Sequence, residues 1–463
     1  MKIDRQILYT ITAILFFLAC GSDKPAGPDI VPSPDSALSG GEAATVFDAS
    51  SQAFEMPIPT LSPDELDKFF AGDLAFEQVF VTAPADVNPG LGPVFSHTSC
   101  VGCHLRDGRG RGAFGSEPPF VGSMLMRVSL PGFTPHGGPV PVPGFGGQLG
   151  DRSNYGVALE ARVQVSFYET TETLSDGEQV YLKHPIYTIV DAYQPLPAGV
   201  LLSARMAPPV FGRGLLEAIP ESDILALADP GDANRDGISG RPNYVYNFRT
   251  GQRELGRFGL KANNPDLLQQ TAGAYNEDMG VTNPYFPQES VAGQPQHDGR
   301  NDDPEISEEI LDVTTFYLQT LAVPARRLWD DPQALRGEAL FESTGCANCH
   351  TTTFKTGNHS ISSLSNQTIH PYTDLLLHDM GEALADNRPD YEADGREWKT
   401  PPLWGIGLTE TVSGVPAFLH DGRARTLLEA IMFHGGEAEQ SREAVRNLSK
   451  TDRDALLAFL QSL

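Results

Sequence analysis

Two five-residue segments, Cys100-Val101-Gly102-Cys103-His104 and Cys346-Ala347-Asn348-Cys349-His350, constrain this chain more than anything else in it. Each puts two thiols and an imidazole on a single turn of backbone. The chain has five cysteines in 463 residues, and four of them lie in these segments. The fifth, Cys20, ends an apolar N-terminal run, so no cysteine is left for a structural disulfide and the thiols serve chemistry instead. A structural zinc site would bring its second C-x-x-C within about 12–20 residues, whereas Cys103 and Cys346 are 243 residues apart. C-x-x-C-H is the attachment motif of c-type haem. Two thiols on one turn reach the two vinyl groups of a porphyrin edge, and the histidine behind them ligates the iron. The expected cofactors are two covalently bound haems c, one on Cys100, Cys103 and His104, the other on Cys346, Cys349 and His350.

The N-terminus fits that expectation, because bacterial c-type haem is attached outside the cytoplasm. Lys2 and Arg5 precede an apolar stretch from Ile7 to Leu18, too short to span a bilayer and similar to a secretory signal core. Leu18-Ala19-Cys20-Gly21 resembles a bacterial lipobox, which implies a signal peptide over residues 1–19 and lipidation of Cys20. The membrane would then be a partner through that anchor. An ordinary signal peptide with a chance cysteine is the alternative. The expected location is the cell envelope, exported and lipid-anchored, facing the periplasm or the exterior. A formal charge of −27 without any basic run argues against nucleic acid as a partner. Residues 20–61 are rich in Pro, Gly, Ser and Asp and read as a flexible tether.

Beyond the tether the pattern turns helical. Ser62 and Glu65 have capping-box spacing, Pro63 suits a first helical position, and Leu66, Phe69, Phe70 and Leu74 share a face. Residues 105–205 are loop-heavy, but Val163, Val165 and Phe167 alternate with polar neighbours and a turn follows at Asp176-Gly177, which predicts a β-hairpin. A second amphipathic helix carries Ile310, Val313, Phe316, Tyr317 and Leu321 and stops before Pro324, where a domain boundary is expected. A helix also precedes the second C-x-x-C-H segment, and another closes the chain with Leu456, Leu457, Phe459 and Leu460. Pro208-Pro209-x-x-Gly212-x-Gly214-Leu215 returns as Pro401-Pro402-x-x-Gly405-x-Gly407-Leu408. The fold class read from this is mainly α with β-hairpin insertions. Two cytochrome c-like haem domains are expected, at 62–323 and 324–463, the first enlarged by loop-rich inserts.

The sixth iron position decides between electron transfer and reaction with a small molecule. For the second haem Met380, thirty residues after His350, is the candidate, with His378 as its rival. For the first haem His184 is the choice from the repeat alignment, with His97, His136, His297, Met124, Met126, Met206 or no protein ligand as alternatives. Glu217 and Gln148 are candidate polar groups over an open iron, and Trp398 and Trp404 are candidate aromatics between haems or plain core residues. Asp232, Asn234 and Asp236 are spaced like the start of a calcium loop, but Asn243 stands where its closing glutamate would be. Calcium and a hydrogen-bonded Asx turn remain the two readings there.

The segments PYTDLLLHDMGEALAD, REWKTPPLWGIGL, FLHDGRARTLLEAIMFHGGEAE and GRFGLKAN resemble the bacterial di-haem oxidoreductase family from about residue 62 to the end. The stretch 420–430 is also similar to di-haem cytochrome c peroxidases. The resemblance implies His104 and His350 as proximal ligands, Met380 on an electron-transferring haem, and His420 in a turn bracing the haem pocket. It further implies an oxidoreductase of peroxidase-like kind, with hydrogen peroxide as a substrate. Electrons would enter at the His350/Met380 haem from an external donor protein or small donor, and redox chemistry would occur at the His104 haem, with His184 and Glu217 as catalytic candidates. The first unit lacks a segment like HDGRA, and no cysteine remains for thiol exchange. A pure electron carrier with two closed haems is the competing function.

Overall fold

The computed structural model describes residues 32–112 and 123–463. The signal segment and Cys20 lie outside the described residues. Helix accounts for 29% and strand for 20%, so the mainly helical expectation meets a mixed structure in which many strands are only two to four residues long.

Two helix pairs form the framework, and the same contact builds both. The helix Pro63–Glu77 starts with the expected capping box, Ser62 and Glu65 satisfying each other's backbone N–H groups. It packs on the helix Glu308–Thr320 through Gly72, where a Cβ would stand 2.1 Å from the Val313 carbonyl oxygen and 2.7 Å from the Tyr317 Cβ. In the second pair, Pro332–Ser343 packs on Lys450–Ser462 through Gly337, where a Cβ would stand 2.0 Å from the Ala455 oxygen and 2.7 Å from the Phe459 Cβ. Only glycine lets two helix backbones approach this closely.

The repeated proline-glycine motif completes each pair in the same way. Gly212 and Gly405 take left-handed φ of 69° and 70° and start a helical turn. Two residues on, a Cβ at Gly214 would meet the Gln319 oxygen at 2.2 Å, and one at Gly407 would meet the Gln461 oxygen at 2.1 Å. The inward faces differ from the amphipathic reading in detail. Phe69 and Phe76 are buried whereas Phe70 and Leu74 are exposed, because Gly72 at the contact turns the face toward the 69/72/76 stripe.

The hairpin forms as expected, Arg162–Thr173 against Gln179–Val190 with Thr173 opposite Gln179. Its location is less expected. Leu174, Val180 and Leu182 at its tip are buried in the cluster of the second unit, with Phe341, Trp398, Phe433 and Phe459. Its base joins a separate apolar cluster with Met126, Val128 and Phe145 beside the three-stranded sheet containing Met124–Phe133 and Leu201–Met206.

Residues 34–61 correct the tether expectation. Ala44, Phe54 and Ile58 are at most 2% exposed in the largest core cluster. Thr45–Val46 pairs in parallel with Val323–Pro324, and the Ile58 N–H donates to the Thr320 oxygen. Ala44, Ala53, Phe54 and Ile58, spaced among the polar residues, suffice to seat this segment along the proposed boundary, which it straps rather than leaves free. No helix among the described residues is long and apolar enough to cross a membrane.

Candidate haem sites

Each C-x-x-C-H segment folds as one helical turn: the His104 N–H donates to the Cys100 oxygen at 2.9 Å and the His350 N–H to the Cys346 oxygen at 3.0 Å. The imidazoles are then fixed alike. His104 Nδ1 donates to the Pro208 carbonyl at 2.7 Å, and His350 Nδ1 to the Tyr372 carbonyl at 2.8 Å. With Nδ1 committed, Nε2 is left as the ligand atom on both rings, a pairing that also fixes the tautomer. An aromatic ring from the preceding helix backs each imidazole, Phe76 with its centroid 6.1 Å from His104 and Phe341 with its centroid 6.2 Å from His350. Burial pushes both imidazoles down to about 4, so they are neutral at pH 7 and able to ligate.

None of the four described cysteines is in a disulfide. Burial raises the pKa of all four thiols, Cys103 to about 12, which does not suit thiolate coordination. Two free thiols and a neutral imidazole with one open nitrogen, twice over, fit two c-type haems. Cys349 also lies within 4.8 Å of Asp374 and His378, the only such group among the described residues with metal-ligand chemistry. That group is already engaged: His378 bonds Asp374 through Nε2 at 2.7 Å and Glu437 through Nδ1 at 2.8 Å. Burial opposes protonation of His378, but its hydrogen bonds to Asp374, Cys349 and Glu437 outweigh it and raise the pKa to about 12. Both His378 nitrogens are thus engaged by carboxylates, an arrangement that leaves neither free as a ligand and favours Met380.

Met380 itself packs against the second unit's core cluster, with its amide bonded to Arg396. Gly435 lies against the Met380 carbonyl, which brings in a residue that sequence reasoning passed over. His434 donates Nδ1 to the Ala430 oxygen at 2.7 Å, its Nε2 has no protein partner among the described residues, burial lowers its pKa, and it is near enough to His350 for the two imidazoles to influence each other. It has the same anchored-Nδ1 arrangement as the two proximal histidines. The signal was its place in FHGGEAE, two residues beyond the end of the short helix Leu427–Met432.

The other candidates disperse. His184 stacks on Tyr168 at 4.7 Å, bonds Thr170, and meets Phe433 edge-on at 5.1 Å. It therefore sits with the second unit, and the repeat alignment that assigned it to the first haem fails because the hairpin crosses over. Glu217 accepts hydrogen bonds from the Leu267 N–H and Gln319 and faces His359 at 3.8 Å. These contacts make it a brace between helices rather than a free acid. Asp232, Asn234 and Asp236 accept from the backbone of their own loop at Gly237, Asp236 and Ile238, the pattern of an Asx turn.

Around the first motif, Gln148 donates to Asp278 at 2.9 Å and to Ser96 at 3.2 Å, and the His97 ring packs where a Cβ on Gly102 would be. A cavity of about 260 Å³ opens there between Phe76 and Val101, lined by Glu55, Asp73, Glu77, Arg106, Asp107 and Tyr317. The Tyr317 hydroxyl donates to Asp107 at 2.7 Å, and burial holds Asp107 well above the usual carboxylate range. His420 stacks on Trp398 at 3.8 Å with planes 12° apart, and burial pushes it down to about 4. Its carbonyl accepts the Met206 N–H, so it braces the junction of the units. Trp404 packs on Gly212, beside the carbonyls that anchor the first site.

The sequence profile of the family described as "Di-haem oxidoreductase, putative peroxidase" matches residues 34–463. No curated protein and no solved structure matches the chain significantly.

Proposed function

The chain belongs to the di-haem oxidoreductase family, and from that premise we propose that it is an exported, peroxidase-like enzyme of two c-type haem units. The observation that carries the reading is the duplicated imidazole anchor: His104 on the Pro208 carbonyl and His350 on the Tyr372 carbonyl. Bound haem supplies the electrons that cleave the O–O bond of a peroxide.

The two helix pairs, each closed by a glycine contact and a proline-glycine turn, support two cytochrome c-like domains. Electrons would enter at the His350 site, where Met380, or His434 through the Nε2 that has no partner among the described residues, would supply the second protein ligand. The His104 site is the reacting one. Among the described residues it has no histidine with the anchored arrangement of His434, and the acidic cavity beside it includes Asp107, which burial holds well above the usual carboxylate range. The donor is an external protein or small molecule, and Cys20 provides the lipid anchor. Calcium has no support in the Asx turn.

Half-reduced protein tests this reading. The expected result is a high-spin first haem whose spectrum changes on adding hydrogen peroxide, with turnover of a reduced donor. Two low-spin haems in every redox state, indifferent to peroxide, would make the protein an electron carrier.

A further inference from the structure

Arg109, Arg213 and Lys399 are three buried cations near the junction of the two units, with Arg213 within charge range of each of the others. Arg109 follows the first motif by five residues and donates to the Leu419 carbonyl of the second unit, while its buried Nε has no partner among the described residues. Arg213, beginning the short helix Arg213–Glu217, donates among the described residues only to the Pro209 carbonyl, next to the residue that anchors His104. Lys399, on the strand Glu397–Lys399 of the second unit, is 6% exposed, and its ammonium has no hydrogen-bond or ion-pair partner among the described residues. Arg213 is close enough to Arg109 and to Lys399 for the like charges to act on one another.

The carboxylates nearby are already used. Asp421, beside Arg109, takes Arg423 in a bidentate pair and the Tyr187 hydroxyl. Asp374, beside Lys399, is paired with His378 at 2.7 Å. Burial first, and then the neighbouring cation, lowers Lys399 to about 7 and Arg213 to about 10. In a chain of net charge −27, buried cations whose nearest carboxylates, Asp421 and Asp374, are committed to other partners are the opposite of what folding alone selects. They are what a buried anion requires, and arginine forks match carboxylates in particular.

We propose that Arg109, Arg213 and Lys399 form a shared seat for haem propionates, joining the carboxylate edges of both haems. The proposal rests on the di-haem reading and adds the residues that hold the acidic side of the cofactor. Since Arg109 and Arg213 come from the first unit and Lys399 from the second, one charge cluster biases both irons toward the ferrous state.

The test is spectroelectrochemical titration of full-length holoprotein carrying Lys399→Met, Lys399→Arg or Arg109→Gln, after counting haems by pyridine haemochrome. The expected result is two haems per chain in all, lower midpoint potentials for both haems in K399M and R109Q, and near wild-type potentials in K399R. The arginine variant separates charge from packing, and R109Q keeps the test alive if K399M does not fold. Two haems with unmoved potentials in K399M and R109Q, or a shift that arginine fails to restore, would overturn the seat alone. A wild-type chain without covalent haem would overturn the parent reading instead.

Discussion

His350 Nδ1 lies 2.8 Å from the carbonyl oxygen of Tyr372, and this hydrogen bond fixes which imidazole nitrogen can face iron. With Cys346 and Cys349 on the same turn, the second haem should be covalent. Acid-acetone extraction is expected to leave two haems per chain in the wild type and one in a Cys346→Ser/Cys349→Ser double variant. Extractable haem from the wild type would contradict the c-type assignment.

Met380 and His434 converge on the same unit, and the two make different spectra. If Met380 closes the second haem, Met380→Ala loses the near-infrared charge-transfer band of His/Met ligation and lowers that potential, while His434→Ala leaves the band in place. If His434 closes it, the wild type shows no such band and His434→Ala turns that haem high-spin.

The two glycine contacts between helices should be equally intolerant. An alanine at Gly337 would put its Cβ 2.0 Å from the Ala455 oxygen, and one at Gly72 2.1 Å from the Val313 oxygen. Each substitution is expected to cost about 1–3 kcal/mol through forced backbone movement, read as a lower urea midpoint. A silent Gly337→Ala would mean that the helices are not this close.

Glu160 gives a pH dependence of stated sign. It is 3% exposed and accepts from the Gly150 N–H. Burial raises its pKa to about 7, against the hydrogen bonds from Gly150 and Gln294. The folded state therefore keeps a proton that the unfolded chain releases near 4.5, and stability falls as pH rises from about 4.5 to 7. Glu160→Gln should remove that slope and stabilise the protein by up to about 3 kcal/mol at pH 8, checked by urea midpoints across the range.

Legibility in the sequence followed the range of the interaction. The two C-x-x-C-H turns, the capping box at Ser62 and the hairpin turn at Asp176-Gly177 are local patterns and were readable directly. The proline-glycine repeat was readable as a repeat, but its purpose, seating Gly214 and Gly407 on the ends of distant helices, needed three dimensions. His184 misled because counting residues between motifs ignores where a long hairpin travels. Glu217 misled because an acidic side chain in an apolar helix looks free until Gln319 and Leu267 are seen beside it. His434 was hidden by company, standing in a recognised segment whose HDG turn drew the eye first.

The hairpin that leaves the first half and buries Leu174, Val180 and Leu182 among Trp398 and Phe433 has a bearing on heredity as well as on folding. Cutting the chain at residue 324 would give one fragment with a stranded greasy finger and another with an open wall. Neither half could be exchanged with that of a relative unless both surfaces changed together. The two similar helix pairs are thus tied together by a shared core, and the spacing of the two C-x-x-C-H segments is set by that packing, which no linker length can tune.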